Sequence, residues 1–315
     1  MIEIEHLSKS YGDVVAVDDI SFSISKGEIV GFLGPNAAGK TTTLKIITCY
    51  MPPSAGDVRV AEFDIFNNSL EVRKKIGYLP ESNSLYLEMS VWEYLEYIAS
   101  LRGIPINKIK SNIKRVIDIC GLGGYVYKDI GELSKGYRQR VGLAQAMIHD
   151  PEILIMDEPT SGLDPNQIAE IRELIKELGK EKTVVLSTHV LSEVQATCGR
   201  VIIINKGKIV ADGTREKLQS MVHGRERIYL ELKAPGKEAE ESIRSIEGIE
   251  GVSPRHLKDE GMIAFEIETG AGRDVREDIF QWAVEHRWPI LEMKREIASL
   301  EDIFRKLTIE EKPGK

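Results

Sequence analysis

The chain has 315 residues, of which 42% are hydrophobic and 29% are charged, a composition typical of a globular protein with one large or two medium domains. The formal net charge of −8 argues against a protein whose main task is to hold a nucleic-acid backbone, so no nucleic-acid partner is expected. No apolar run approaches the roughly eighteen residues that a spanning helix needs, and no signal peptide is predicted. Three widely separated cysteines are typical of thiols in a reducing cytosol, so we expect a cytoplasmic protein.

The first part of the chain predicts strands that alternate with helices. The segments IEIEHL and SFSIS alternate as half-buried strands do, and EIVGFL predicts a buried strand that ends in a glycine-containing loop. The segment TTTLKIITCY predicts a helix after that loop, and VWEYLEYIASL and residues 106–119 have helical spacing. The segments EILIM, TVVLST and VIIIN predict further strands. This alternation indicates an α/β fold with a mostly parallel sheet covered by helices.

The composition changes near residue 221, and the rest of the chain predicts a second domain. The segments RIYLELKA, GVSPRHL, MIAFEIE and ILEMKR predict strands, and KEAEESIRSI, VREDIFQWAVEHR and LEDIFRKLT predict helices. The first six of these elements along the chain follow the order β-α-β-β-α-β, which is the ferredoxin-like α+β pattern in roughly ninety residues. We therefore expect domains at residues 1–220 and 221–315, with the closing IEEKPGK as a frayed tail.

The stretch GPNAAGKT matches the phosphate-binding pattern G-x-x-x-x-G-K-[ST]. It lies between a predicted strand and a predicted helix, so its backbone N–H groups and the N-terminus of the helix can surround a phosphate chain. The lysine would neutralise the β and γ phosphates, and the first threonine would offer its hydroxyl to Mg²⁺. The candidate nucleotide-binding residues are Gly34, Pro35, Asn36, Ala37, Ala38, Gly39, Lys40, Thr41 and Thr42.

Ala37 stands where many such loops have a third glycine. If this position requires a positive φ, alanine costs about 1–2 kcal/mol there, and Ala37→Gly should relax the loop. A φ of about −60° would mean that the loop does not need the glycine.

The segment ILIMDEP predicts a strand that ends in two carboxylates. Asp157 falls at the carboxyl end of the sheet, where α/β sheets bind ligands, and it can hold a metal ion through water as a Walker-B carboxylate does. Glu158 can point toward an attacking water and act as the general base. Together with Lys40, the two carboxylates favour a catalytic site over a solvated turn.

Further motifs follow in a fixed order: LSKGYRQR at residues 133–140, SGLD at residues 161–164, and THV, which contains His189. This ordered set resembles the ATP-binding subunit of an ABC transporter over residues 1 to about 220. The resemblance implies a P-loop ABC ATPase domain with a mainly parallel sheet, an antiparallel β-subdomain and a helical subdomain. The segment YLPE at residues 78–81 and the closing LEDIFRKLT are similar to those of ABC-2-type exporter subunits, the drug-resistance and gliding-motility type.

The resemblance implies a role for individual residues. Tyr11 would stack on adenine, and His189 would hold the γ-phosphate and help to orient the attacking water. Ser134 and Gly136 would contact the γ-phosphate held by a second copy of the chain, and Asp164 would lie at the seam between the copies. ATP and Mg²⁺ are the implied cofactors. The implied partners are a second copy and an integral membrane permease, which would hold the chain at the cytoplasmic face of the cell membrane.

The chain departs from the family pattern at two further places. Lys135 and Tyr137 replace a glycine and a glutamine of the family signature LSGGQ, while Ser134 and Gly136 remain, so we expect the signature to function. Glu81 stands where the family usually has a glutamine. A carboxylate can hold Mg²⁺ through water but cannot donate a hydrogen bond when it is ionised, and a surface acid is the alternative interpretation.

Large side chains follow Glu81, in a neighbourhood that in the family receives the coupling helix of the membrane subunit. They either line an exposed groove or belong to the core: Leu85, Tyr86, Leu87, Trp92, Tyr94 and Tyr97. The predicted function is an ATP-hydrolysing subunit of an ABC-2-type exporter. The alternatives are a soluble ABC ATPase and an importer subunit. A GTPase is disfavoured because the segment NKGK has Lys208 where guanine recognition requires an aspartate.

Overall fold

The computed structural model describes residues 1–214, 216–218, 226–256, 262–270, 274–296 and 304. The chain divides into two compact units, Met1–Arg215 and Glu216–Lys315. The predicted boundary between residues 220 and 221 lies outside the described residues and stays a prediction. Within the described ranges, no helix is long and apolar enough to cross a membrane.

The described part of the first unit contains two sheets and seven α-helices. The strands are β1 (Ile2–Tyr11), β2 (Val14–Ile24), β3 (Ile29–Leu33), β4 (Ala55–Val60), β5 (Phe63–Asp64), β6 (Ile76–Leu79), β7 (Ile153–Asp157), β8 (Thr183–Thr188), β9 (Arg200–Asn205) and β10 (Lys208–Gly213). The helices are α1 (Lys40–Ile47), α2 (Ser69–Lys75), α3 (Val91–Leu101), α4 (Ile106–Cys120), α5 (Lys135–Met147), α6 (Pro165–Gly179) and α7 (Leu191–Thr197), with 3₁₀ turns at Gly123–Tyr125 and Ile130–Glu132.

The larger sheet has the strand order β10-β9-β3-β8-β7-β6. Its strands pair in parallel except β10, which pairs antiparallel with β9. Every residue of β7 and β8 is buried, as expected for strands that are covered on both faces. Because β3, β8 and β7 are parallel neighbours, the loops that follow them leave the same edge of the sheet. The α/β fold predicted from the sequence is confirmed.

The other two layers of the first unit form an antiparallel sheet and a helical group. The small sheet has the order β2-β1-β4-β5, and its apolar face shares a core with α1 and one face of the large sheet. Helices α3, α4 and α5 share the second core with the opposite face. A capping box at Ser90 and Glu93 begins α3. The predicted helix after the loop is shorter than expected, because it ends at Ile47 and Cys49 has a φ of 57°.

The second unit contains β11 (Glu226–Lys233), α8 (Gly236–Ile243), β12 (Ile249–His256), β13 (Met262–Thr269), α9 (Arg276–Glu285) and β14 (Ile290–Glu296). The strand pairs in the described part of this unit are antiparallel, in the order β12-β13-β11-β14. This is the predicted ferredoxin-like arrangement. Alternate residues of β11, namely Ile228, Leu230 and Leu232, are buried in a core of this unit's own. The predicted final helix, apart from the helical Phe304, and the predicted tail lie outside the described residues.

Candidate functional site

The loop at residues 34–39 connects the end of β3 to the start of α1 and is held against neighbouring strands. The Gly34 N–H donates to the Thr188 carbonyl at 3.3 Å, and the Gly207 N–H donates to the Ala38 carbonyl at 3.0 Å. Gly39 has a φ of 109°, and a Cβ there would lie 2.6 Å from the Ala16 carbonyl oxygen. Glycine is therefore required at Gly39 both by its conformation and by the close approach of a backbone oxygen.

Ala37 has a φ of 62°, so this position of the loop does adopt the left-handed conformation. Its side chain is exposed and no packing around it compensates for the conformation. An alanine in this region costs about 1–2 kcal/mol relative to glycine. The sequence analysis predicted a strained alanine if this position required a positive φ, and Ala37 is such a backbone outlier.

Lys40 lies inside the loop, with only 5% of its surface exposed. Its ammonium donates to the carbonyl oxygens of Gly34, at 2.8 Å, and Pro35, at 3.1 Å. It also lies 3.5 Å from Glu158 Oε1. The loop thus holds a positive charge beside its own backbone and next to a carboxylate from β7. Thr41 and Thr42 follow in the first turn of α1 with half-buried side chains.

The two carboxylates at the end of β7 are buried and differ in their partners. The Ser187 hydroxyl on β8 donates to Asp157 Oδ1 at 2.5 Å. The backbone N–H of Glu158 donates to the Ser187 hydroxyl oxygen at 3.1 Å. Glu158 has a φ of 48°, although it is not glycine and precedes proline, a conformation that costs on the order of 1–3 kcal/mol. Ser187 therefore fixes both residues from the neighbouring strand.

The Glu158 carboxylate lies between two cationic or hydrogen-bonding groups. Its Oε1 is 3.5 Å from the Lys40 ammonium, and its Oε2 is 2.9 Å from His189 Nδ1. An ionised carboxylate can only accept hydrogen bonds, so in this contact His189 Nδ1 carries a proton and donates it to Glu158 Oε2. The side chain of Glu158 is buried, whereas about half of His189 is exposed. The structure thus brings Lys40, Glu158 and His189 together in one row.

A buried phenol lies close to the candidate metal ligands. The hydroxyl of Tyr78, on β6, is buried and has no hydrogen-bond partner within the described ranges. Burial raises the pKa of Tyr78, and the nearby Asp157, Tyr50 and Glu81 raise it further. Glu81 itself is exposed. The candidate ligands, the carboxylates of Asp157 and Glu81 and the hydroxyl of Thr41, have the oxygen atoms that Mg²⁺ prefers.

The comparisons with known proteins decide the family. A family model described as "ABC transporter" matches residues 17–161. The chain is 41% identical over 224 residues to the ABC transporter ATP-binding protein NatA of Bacillus subtilis, which covers 69% of this chain and 91% of that protein. It is 31% identical over 309 residues to the linearmycin resistance ATP-binding protein LnrL of the same organism, which covers 98% of both. The chain belongs to the ABC transporter ATP-binding family.

Solved structures agree with this assignment. The dimeric structure of a post-hydrolysis state of the ATP-binding cassette MJ0796, bound to ADP and Pi, is 25% identical to this ABC protein with a TM-score of 0.62. The likeness covers 68% of this chain and 98% of that one. The chain is thus a nucleotide-binding ATPase with the ABC fold, as the sequence predicted. The LnrL alignment extends over the second unit as well as the first.

Three further predicted site residues of this ABC protein lie at the end of β1 and at the start of α5. Tyr11 ends β1, is half exposed, and donates its hydroxyl to Met51 Sδ at 2.9 Å. Ser134 caps α5 by accepting from the Tyr137 N–H at 3.4 Å, and Gly136 is buried in the first turn of that helix. Within the described residues, none of Tyr11, Ser134 and Gly136 has a hydrogen bond to residues 34–41.

Several polar residues near the ABC site were missed by the sequence analysis. Ser187 and Thr188 end β8, and the signal for them was a pair of hydroxyl residues that closes the apolar segment TVVLST. Glu193, on α7, and Thr160, after β7, are buried polar residues of the same region.

A substitution that adds a Cβ at Gly162 would place it against the Lys135 ammonium, so this signature lysine lies over the SGLD turn of its own subunit.

The large side chains that follow Glu81 divide into three classes. Tyr94 is buried, and Leu85 and Trp92 are half-buried against the helical core. Tyr86, Leu87 and Tyr97 are exposed by 56%, 49% and 38%. The rings of Tyr86 and Tyr97 meet edge to face with centroids 5.7 Å apart. The six residues therefore do not all belong to the core, and three of them form an exposed apolar patch.

Ala37→Gly is expected to raise the free energy of unfolding by up to about 1.5 kcal/mol. Relief of the strain of a left-handed alanine stabilises the folded state by about 1–2 kcal/mol. Glycine loses more conformational entropy on folding than alanine, which offsets about 0.5–1 kcal/mol of this gain. The measurement is urea unfolding, with the m-value checked for constancy. The matched control is Ala38→Gly, because Ala38 is buried and does not have a positive φ. We expect that control to lose about 0.4–1 kcal/mol, and an equal loss in both variants would contradict the strain at Ala37.

Proposed function

We propose that this chain is the ATP-hydrolysing subunit of an ABC-2-type membrane exporter, driven by ATP-dependent head-to-tail association of two copies. The observation that carries the proposal is the Glu158 carboxylate, held between the Lys40 ammonium and the His189 imidazole at the carboxyl edge of the sheet. The exporter class is supported by the likeness to LnrL, whose name describes resistance to linearmycin, over 98% of both chains. This likeness favours an exporter over an importer or a soluble ABC ATPase.

The proposed hydrolysis is an in-line attack of water on the γ-phosphate, in which positioning and charge supply most of the catalysis. The loop N–H groups and Lys40 bind the phosphates, so that Lys40 exchanges its backbone carbonyls for phosphate oxygens. Glu158 accepts a proton from the attacking water at Oε1 or Oε2. His189 fixes the orientation of that carboxylate through Nδ1. Mg²⁺, held by Thr41, Asp157 and Glu81, would neutralise charge on the phosphates.

The other half of each site is proposed to come from a second copy. Ser134 and Gly136 lie at the N-terminus of α5, which carries the positive end of the helix dipole and suits a phosphate oxygen. Asp164 accepts from the N–H groups of Asn166 and Gln167, both at 3.0 Å, and so fixes the SGLD turn at the start of α6. The dimeric form in which the MJ0796 cassette was solved with ADP and Pi supports this arrangement. Tyr11 is proposed to stack on adenine.

Glu158→Gln is expected to bind ATP, to accumulate as a closed dimer and to hydrolyse hardly at all. The amide keeps the shape of the side chain but cannot accept the proton from water. ATP binding, size-exclusion chromatography with ATP and steady-state phosphate release measure the three properties. Glu181→Gln, at an exposed position, is the matched control and should retain wild-type turnover. Wild-type turnover in Glu158→Gln would overturn the base assignment.

Glu81→Ala is expected to raise the Mg²⁺ concentration for half-maximal ATPase activity by about tenfold, since residues that orient a metal's ligands typically affect affinity by about 10–100-fold. Glu81→Gln keeps an oxygen that can accept from metal-bound water, so its Mg²⁺ requirement should stay close to that of the wild type. The neighbouring exposed Glu88→Gln controls for lost surface charge. If Glu81→Ala has the wild-type Mg²⁺ dependence, Glu81 is a surface acid.

The exposed patch of Tyr86, Leu87 and Tyr97 is proposed to receive the membrane permease. Aromatic side chains supply large contact areas at protein interfaces, and two of the three are tyrosines with adjacent rings. Tyr97→Arg should therefore weaken co-purification of the permease from detergent-solubilised membranes while basal ATPase activity stays unchanged. Phe66→Arg, at an exposed site outside the patch, is the control. Equal recovery of the permease with both variants would remove the docking assignment.

A further inference from the structure

Glu193 is a buried carboxylate for which the proposed hydrolysis has no role. It lies on α7 with 6% of its surface exposed. Its Oε1 accepts from the Thr160 hydroxyl at 2.6 Å, and its Oε2 accepts from the Thr188 hydroxyl at 2.7 Å. Both threonines are buried as well. A buried carboxylate is tolerated only where donors satisfy it, and here each oxygen has a separate hydroxyl donor.

The two threonines belong to the two chain segments that carry the catalytic groups. Thr188 immediately precedes His189, and its hydroxyl oxygen also accepts from the Val190 N–H at 3.0 Å. Its carbonyl accepts from the Gly34 N–H of the phosphate-binding loop. Thr188 therefore fixes the backbone on both sides of His189 and touches the nucleotide loop.

Thr160 belongs to the turn that leads from Glu158 into SGLD. The Leu163 N–H donates to the Thr160 carbonyl at 3.2 Å, and the Ser161 N–H donates to the Glu158 carbonyl at 3.0 Å. Glu158 is held at a φ of 48° at the start of this turn. Such a conformation persists only where surrounding contacts determine it. The bond from Thr160 to Glu193 fixes the residue two positions after Glu158 in the same turn.

We propose that Glu193 is a positioning residue that couples the SGLD turn to the catalytic pair of Glu158 and His189. This inference rests on the proposed function, in which the SGLD turn meets a second copy. Contact with that copy would move the turn, and Thr160 would transmit the movement through Glu193 to Thr188 and His189. The hydrogen bond between His189 and Glu158 is already present at 2.9 Å in the single chain, so association of two copies would act by shifting this bond along the same path.

Substitutions at Thr160 separate this role from simple packing. Thr160→Val keeps the volume and removes the hydroxyl, whereas Thr160→Ser keeps the hydroxyl and removes the methyl group. In the full-length protein, Thr160→Val should lower kcat by about 10–100-fold, as loss of a hydrogen bond that orients a catalytic ligand typically does, with Kd for ATP unchanged. Thr160→Ser should retain most of the wild-type kcat. Glu181→Gln again controls for an exposed change. Equal losses in the two threonine variants, or no loss in Thr160→Val, would overturn the proposal.

A double-mutant cycle tests the coupling itself. If Thr160 acts through Glu193, Thr160→Val should change kcat little once Glu193→Gln is present. If the two residues act independently, the fold-changes in kcat of the single variants multiply in the double variant, and this result would overturn the proposal. Thr188→Val replaces Glu193→Gln in the cycle if that variant does not fold. If Thr160→Val has wild-type activity while Glu158→Gln is inactive, this inference is overturned and the proposed function stands. Normal turnover in Glu158→Gln would overturn the proposed function and the inference together.

Discussion

The parallel pairing of β8 with β3 on one side and β7 on the other is the constraint on which the site depends. In this register Leu33 is opposite Thr188, and Asp157 is opposite Ser187. The phosphate-binding loop, the two carboxylates and His189 therefore leave the sheet at the same level. At the end of β8, Ser187 contacts Asp157 and Glu158 on one side, and Thr188 contacts Gly34 on the other. A slip of one residue in either pairing would separate Glu158 from the loop.

Burial determines how these charged groups interact. Lys40, Asp157 and Glu158 are all nearly inaccessible to solvent, so their attractions are screened less than those of surface ion pairs. Lys40 has two carbonyl acceptors in addition to Glu158, and Glu158 has His189. Asp157 accepts from the Ser187 hydroxyl. Each of the three charged groups therefore has a partner, which is the condition under which buried ionised groups are tolerated. The same set can exchange partners when phosphate oxygens arrive, because the carbonyls of Gly34 and Pro35 are neutral acceptors.

The sequence predicted the parts of this site that depend on local pattern. The strand, loop and helix around Lys40 and the apolar strand before Asp157 follow from hydrophobic spacing and glycine placement. Glu193 could not be predicted in this way, because its partners Thr160 and Thr188 come from two other segments and their convergence is a tertiary fact. The contact of Lys135 with the SGLD turn is of the same kind. The end of α1 was predicted too late, because nothing in TTTLKIITCY signals the left-handed backbone of Cys49.

Two residues of the site, Ala37 and Glu158, have backbones in the left-handed region for different physical reasons. At Ala37 the side chain is exposed and makes no required contact, so glycine would serve the loop at lower conformational cost. At Glu158 glycine would remove the carboxylate that faces Lys40 and His189, so the strain must be held by neighbours. Ser187 holds the residue from β8, and the turn through Thr160 holds it from the other side. A displacement of these neighbours would move the strained backbone of Glu158, and in the proposed dimer the SGLD turn that follows Thr160 is the segment through which a second copy would displace them.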